Sequence, residues 1–359
     1  MALGPCGALA AVVLLGACFK GPPMPAMDGA VMEVRRSDCS LRAGDEGYGD
    51  TLQIYWFGSG CHLIQLGDLR VLTDPFVTNG FQVFSNASDS ARVKKSLGRI
   101  SPPEAVLVNH AHFDHFLDAH AAMTLEEWRE AEVPLWGGLT CKHLLAGWQT
   151  PGLMERCHAI EKPGVIIDRR IGGGHLRVTA YASRHSPHFK CGLTLANGVV
   201  DEPRTTPPTL MTDFPSGEVF NYLIELRGGG KSYAVFYLGA FYDLEDLPNS
   251  MPPAGTRIDV AILTAASHRN VPGYPGKHLQ RLRPRHVVLN HFNTFMAEKP
   301  DEQLAILGKD FVKLGEMTRK VQGVFARECE KYPEFEVMHI SAITRMEKKD
   351  LGRNVLRIE

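Results

Sequence analysis

The segment Val106-Leu-Val-Asn-His110-Ala-His112-Phe-Asp114-His115 constrains this chain more than any other. Three imidazoles and a carboxylate fall within six residues, directly behind an apolar run of strand character. Nitrogen and carboxylate donors gathered this densely at the end of a buried strand suit zinc and similar divalent ions. Alternate residues of extended backbone point the same way. His110, His112 and Asp114 are therefore expected on one side and His115 on the other, so that a single segment can serve two ions.

Further histidines stand at the ends of other apolar runs. Val178-Thr-Ala-Tyr-Ala-Ser-Arg-His185-Ser-Pro-His188 is one such run, and Arg285-His-Val-Val-Leu-Asn-His291-Phe-Asn-Thr-Phe295 is another. Upstream, the stretch from Ile54 to Asp74-Pro75 reads as a strand, a turn at Gly58-Ser-Gly60, and a hairpin about Gly67-Asp68. In this order the segments resemble the metallo-β-lactamase-fold hydrolases, over roughly residues 50 to 345. The early hairpin and the His-x-x-Thr-Phe ending look nearest to the branch of N-acylphosphatidylethanolamine phospholipase D-like and ascorbate-phosphate lactonase-like proteins. The resemblance implies an α/β fold, a four-layer αββα sandwich of two mixed β-sheets. It assigns His110, His112 and His185 to a first ion and Asp114, His115 and His291 to a second. Zinc is the expected cofactor, as one or two divalent ions, with manganese or iron as alternatives. His188 is near enough to stand in for His185, but the residues before His185 match better. Asp114 is also the candidate catalytic group, placed to orient the attacking hydroxide or relay its proton.

One position departs from the family. The family's strand ending in Gly-Asp, whose carboxylate bridges the two ions, corresponds here to Ser232-Tyr-Ala-Val-Phe-Tyr-Leu-Gly239, followed by Ala240. Alanine binds no metal. Asp243 or Asp246 is a candidate for a displaced ligand; otherwise Asp243, Glu245 and Asp246 belong to a solvated loop. Three protein ligands and a shared hydroxide suffice for each ion without a bridge. The loss leaves the centre one negative charge short, which favours anionic substrates. Divalent ions lower the pKa of a bound water to about 7 and so provide a hydroxide nucleophile at neutral pH. The expected activity is hydrolysis of a small-molecule or lipid ester or phosphodiester at a membrane surface. Lactones and β-lactams are the alternative substrates. A non-catalytic metal- or ligand-binding lipoprotein with a degraded second site is the alternative class, because one fold hosts many functions.

Composition narrows the class. The chain has 359 residues, 44% hydrophobic and 22% charged, enough for one large buried core. A formal net charge of −1 with no basic cluster argues against a nucleic-acid partner. Ala8 to Ala17 forms an apolar run too short to span a bilayer and placed like the core of a signal peptide. It ends in Leu15-Gly16-Ala17-Cys18, which resembles the lipobox of bacterial lipoproteins, although no Lys or Arg precedes the run. The expected organisation is a signal peptide at 1–17, a lipidated tether at 18–50, the hydrolase domain at 51–345 and a tail at 346–359. The expected place is the cell envelope, with a membrane anchor through Cys18. Export would carry Cys39, Cys61, Cys141, Cys157, Cys191 and Cys329 into an oxidising compartment, with pairing unassigned and some thiols buried and free.

Helices are expected over 125–133, 140–148, 277–282 and 301–331, the last divided by Gly308 and Gly315 and carrying an apolar stripe from Leu304 to Leu314. Asn221–Leu226 and Ser232–Leu238 flank Arg227-Gly-Gly-Gly-Lys231 as a hairpin, and the strand after Gly230-Lys231-Ser232 excludes a phosphate loop. The Pro-rich stretch from His185 to Phe220 and the loop after Ile258–Leu263, with His268 and Arg269, are expected beside the site. The remaining histidines are expected to be structural or solvent-facing.

Overall fold

The computed structural model describes residues 49–78, 87–293, 305–306, 309–310, 312–331, 339–342 and 354–358. The expected signal peptide, Cys18 and the tether up to residue 48 lie outside them, as do Phe295 and most of the expected tail. In chain order the strands are β1 (Leu52–Gly58), β2 (Cys61–Leu66), β3 (Leu69–Thr73), β4 (Ala105–Leu107), β5 (Leu135–Gly137), β6 (Cys157–Ala159), β7 (Gly164–Ile171) and β8 (Gly174–Ser183). They continue as β9 (Val219–Gly228), β10 (Lys231–Leu238), β11 (Val260–Thr264), β12 (His286–Asn290), β13 (Ala305–Ile306), β14 (Lys309–Asp310), β15 (His339–Ala342) and β16 (Asn354–Ile358). The α-helices are α1 (Ser90–Ser96), α2 (Phe113–Phe116), α3 (Ala119–Met123), α4 (Glu126–Glu130), α5 (Leu139–Ala146), α6 (Gly276–Leu282) and α7 (Leu314–Lys331).

Two seven-stranded sheets form the centre, in the orders β16-β1-β2-β3-β4-β5-β6 and β15-β12-β11-β10-β9-β8-β7. Both are mixed: β1 to β3 pair antiparallel and β3 to β6 parallel, while β7 to β10 pair antiparallel and β10, β11, β12 and β15 parallel. Strands buried on both faces read as continuous apolar runs, and Val260–Thr264 is buried throughout. One apolar cluster joins the facing sides, with Ile54, Ile64 and Val71 from the first sheet meeting Val178, Ile224 and Val235 from the second. Leu279 and Leu282 of α6, with Met317 and Val321 of α7, extend that cluster over the outer side of the second sheet. A second cluster packs Met123, Trp128, Leu144 and Leu145 against the outer side of the first. The result is the expected αββα sandwich of two mixed sheets.

Several boundaries differ from the expectation. The stretch expected as a helix from residue 301 instead contains the short strand pair β13 and β14, and α7 begins only at Leu314, after Lys313 in left-handed backbone (φ 58). Gly315 does not divide α7 but sits in its first turn, and Gly308 is outside the described residues. Residues 354–358, expected in a tail, pair antiparallel with β1 and close its edge, where its backbone groups would otherwise lack a ladder. The other expected helices are α4, α5 and α6, each within a few residues of the expected bounds.

Asp118 ties down the chain beside the site. Its buried carboxylate accepts from Val77 N (2.6 Å), Thr78 N (2.7 Å), Thr78 Oγ1 (2.7 Å) and Ser88 Oγ (2.6 Å). Burial pushes its pKa up, against these hydrogen bonds. Asp118→Ala should strand these donors and lower stability by about 2 kcal/mol, after the offsetting cost of burying the charge, as read from the shift in urea midpoint. An unchanged midpoint would show that the carboxylate holds nothing.

Candidate metal centre

The strand–loop–helix turn after β4 builds the centre. Val106 and Leu107 end the strand, Asn109 to His112 run as coil, and the backbone turns helical at Phe113. That turn corrects the expected alternation: Asp114 lies on α2 beside His115 rather than on the His110–His112 side. His185 follows the end of β8 by two residues, and His291 follows β12 directly, in left-handed backbone (φ 55). Left-handed conformations are rare for such a residue and gather at functional sites.

The structure brings all six predicted side chains together as two sets of three. His110, His112 and His185 form one set and Asp114, His115 and His291 the other, with the ligand atoms of each set within 4.8 Å of one another. His110 Nε2 and His112 Nδ1 are 3.1 Å apart. His291 Nε2 is 3.0 Å from both His115 Nε2 and Asp114 Oδ2. The His110 and His115 rings, one from each set, have centroids 4.0 Å apart. His188 stays out of both sets and stacks on His185, its Nδ1 accepting from Leu195 N.

Hydrogen bonds on the outer side set which nitrogen faces inward. Asn109 Nδ2 donates to Phe220 O and Asn221 Oδ1, so its Oδ1 is left to accept from His110 Nδ1 at 2.8 Å. His112 Nε2 meets Ala196 O at 3.2 Å, and His185 Nδ1 meets Ser186 O at 2.7 Å. His115 Nδ1 meets the carboxylate of Asp74 at 2.6 Å. The inward atoms are therefore Nε2 of His110, His185 and His115, and Nδ1 of His112. An N–H spent on an outer acceptor leaves the other nitrogen a bare lone pair.

Electrostatics agree with ion binding. Burial holds His110 and His185 well below their ordinary pKa, with neighbouring histidines adding to the effect, and lowers His112 to about 4. These rings are neutral at physiological pH, as ligands must be. Burial opposes ionisation of Asp114, but His115, His291 and His112 outweigh it and hold the carboxyl below the usual range. For His115 burial is likewise outweighed, by Asp74 and Asp114, and its pKa is raised. The neutral imidazoles of the first set, and the ionised Asp114 beside His115 and His291 in the second, are donors that suit borderline divalent ions such as zinc, manganese or iron.

No described acid replaces the missing bridge. Ala240 is buried, and its carbonyl oxygen lies 3.5 Å from Ser183 Oγ. Asp243 turns to Lys277 Nζ, 3.5 Å away on α6, and Asp246 is exposed. Asp243 and Asp246 thus take the solvated-loop alternative. His268 is buried against α7, with its Nδ1 3.5 Å from Lys320 Nζ, and Arg269 pairs with Glu316 at 3.4 Å. Sequence reasoning missed Asn109, Asp74, Tyr237 and Asp118. Asp74 had the one usable signal, an acid ending a strand in Leu72-Thr-Asp74-Pro75.

The sequence comparisons agree with this geometry. Residues 53–190 match a profile described as the beta-lactamase superfamily domain. That stretch carries nearly all of β1, then β2 to β8, and five of the six clustered side chains, so the similarity falls on the part of the chain that builds the centre. Among curated proteins the chain is similar to a "UPF0173 metal-dependent hydrolase" of Cupriavidus metallidurans, 24% identical over 71% of this chain and 79% of the relative. A protein of the same description from Cupriavidus necator is 26% identical over 83% of this chain and 90% of the relative. Among solved structures, Igni18 of Ignicoccus hospitalis, titled a novel metallo hydrolase, aligns over 86% of this chain and 99% of its own at 16% identity, with a TM-score of 0.47.

Proposed function

We propose that this chain, a metal-dependent hydrolase, acts on an anionic ester or phosphodiester. The observation that carries the reading is the pairing of His110, His112 and His185 with Asp114, His115 and His291 in one buried cluster. When bound, divalent ions polarise the scissile group and lower the pKa of a water to about 7. Asp114, ionised and beside both His115 and His291, is placed to accept the proton of the attacking water and return it to the leaving group. The loop after His185 forms a wall, because Ala196 on it meets His112, and His188 on it stacks on His185. Two features favour an anionic substrate. Ala240 removes a negative charge from the cluster's edge. Arg184, next to His185, is exposed with its guanidinium 5.6 Å from the Tyr242 ring, and no carboxylate pairs with it among the described residues.

The test compares zinc- and manganese-loaded protein on bis(4-nitrophenyl) phosphate, 4-nitrophenyl acetate, a lactone and a chromogenic β-lactam. The phosphodiester should be turned over fastest. Turnover of the lactone or lactam alone would move the assignment to cyclic substrates, and turnover of none to the metal-binding lipoprotein.

We infer further that the protein is exported and lipidated at Cys18, with the anchor holding it at the cell envelope. Cys191 is disulfide-bonded, which supports an oxidising compartment, whereas Cys61, Cys141 and Cys157 are buried free thiols. Mass spectrometry of membrane-extracted protein should find a diacylglyceryl-modified Cys18 as the first residue. An intact Met1 terminus or an unmodified Cys18 would remove the inference.

A further inference from the structure

The two halves of the centre are braced by different chemistry. Behind His110, His112 and His185 every outer partner is neutral: the Asn109 amide and the backbone carbonyls of Ala196 and Ser186. Behind His115 the partner is Asp74, a wholly buried carboxylate. A buried charge must itself be held by donors, or its ring partner is poorly placed. Asp74 Oδ1 accepts from Asn109 N at 2.6 Å, and Oδ2, the oxygen that takes His115, also accepts from the phenol of Tyr237. Tyr237 is itself wholly buried and stands near the end of β10, so its hydroxyl reaches from the second sheet to the end of the first. Gly60 closes the arrangement. A Cβ there would lie 2.6 Å from Asp74 Oδ2 and 2.9 Å from His115 Nδ1, and would strike the Tyr237 hydroxyl as well. Only glycine fits where hydroxyl, carboxylate and imidazole meet.

We propose that Tyr237 is a positioning residue for the second half of the centre: its hydroxyl fixes Asp74, Asp74 fixes His115, and retention of the ion held by Asp114, His115 and His291 depends on it. The proposal rests on the metal-dependent reading above. A carboxylate behind a ligating imidazole orients the ring and raises its basicity, and loss of such outer support costs metal affinity. The dependence is stronger here because Ala240 supplies no charge. Negative charge reaches the second ion only from Asp114 directly and from Asp74 through His115, among the described residues. Without the hydroxyl, Asp74 Oδ2 loses one of its donors, the carboxylate is free to rotate about its side-chain torsion, and the His115 ring follows it.

The test is Tyr237→Phe, read by cobalt titration of the chelator-stripped protein with absorption and competition to separate the two affinities; it needs no turnover. The second affinity should fall about 10- to 100-fold and the first should stay unchanged. The His115 Nδ1 proton resonance of the zinc-loaded protein should also shift. Both affinities unchanged, or both falling equally as a general loosening would produce, overturns the proposal. If the Phe variant fails to fold, Asp74→Asn keeps the side-chain shape and removes the carboxylate through which the hydroxyl acts on His115; a ratio of the two affinities equal to wild type then overturns it. Two ions bound with indifference to position 237 defeat this proposal alone. A wild-type chain that takes up no ion defeats the metal-dependent reading as well.

Discussion

His185→Ala should lower turnover of the preferred ester or phosphodiester by about a thousandfold or more, with the first ion lost from the purified protein. The imidazole comes from outside the central motif, carried by the irregular segment after β8, and its Nε2 completes the set with His110 Nε2 and His112 Nδ1. Two imidazoles from one segment hold an ion weakly, and removing the third leaves too few neutral donors. Among the described residues the half-buried ring meets Ser186 O and its ring neighbours, so the substitution should cost little stability. Metal content by mass spectrometry beside a thermal melt separates the two effects. Retained metal and activity in the variant would return His188 to consideration as the ligand.

Ala240→Asp should raise affinity for the second ion by about a hundredfold and change turnover. Position 240 follows Gly239, which packs so closely on Asn109 that a Cβ there would lie 2.6 Å from Asn109 Cγ. It therefore adjoins the groups that brace both halves, Asn109 behind His110 and Tyr237 behind Asp74. A carboxylate added there meets two divalent charges in a buried setting, where Coulomb attraction is strong. The measurement is the second dissociation constant for the wild type and the variant. If Asp243→Ala abolished second-ion binding instead, the Lys277-facing position of Asp243 would not be its metal-loaded position, and the centre would be complete by another route.

The central segment and the strand-end histidines were legible because they obey local rules. A histidine needs only to end a buried strand to reach the sheet edge, and His110, His185 and His291 all do so within a few residues. The grouping within the segment was not legible from alternation. It depends on where extended backbone becomes helical, and His112 to Phe113 carries no Pro or Gly to mark the change. The braces were hidden for a different reason. Asp74, Asn109 and Tyr237 meet through contacts 35 and 163 residues apart, which no local pattern records. The same holds for β16, an apolar run too short to be told from a frayed end until β1 is seen to lie beside it. The helix expected from residue 301 begins only at Leu314, because the backbone pairs as β13 and β14 before it and turns left-handed at Lys313.

The most direct test of the central claim is add-back of metal to chelator-stripped protein, with hydrolysis and bound metal followed together on the phosphodiester probe. Stripped protein should be inactive, and activity should return as ions load, reaching its maximum when both sets of ligands are filled. Hydrolysis by the stripped protein equal to that of the loaded one, or two bound ions with no hydrolysis of any ester, phosphodiester or cyclic amide, would contradict it.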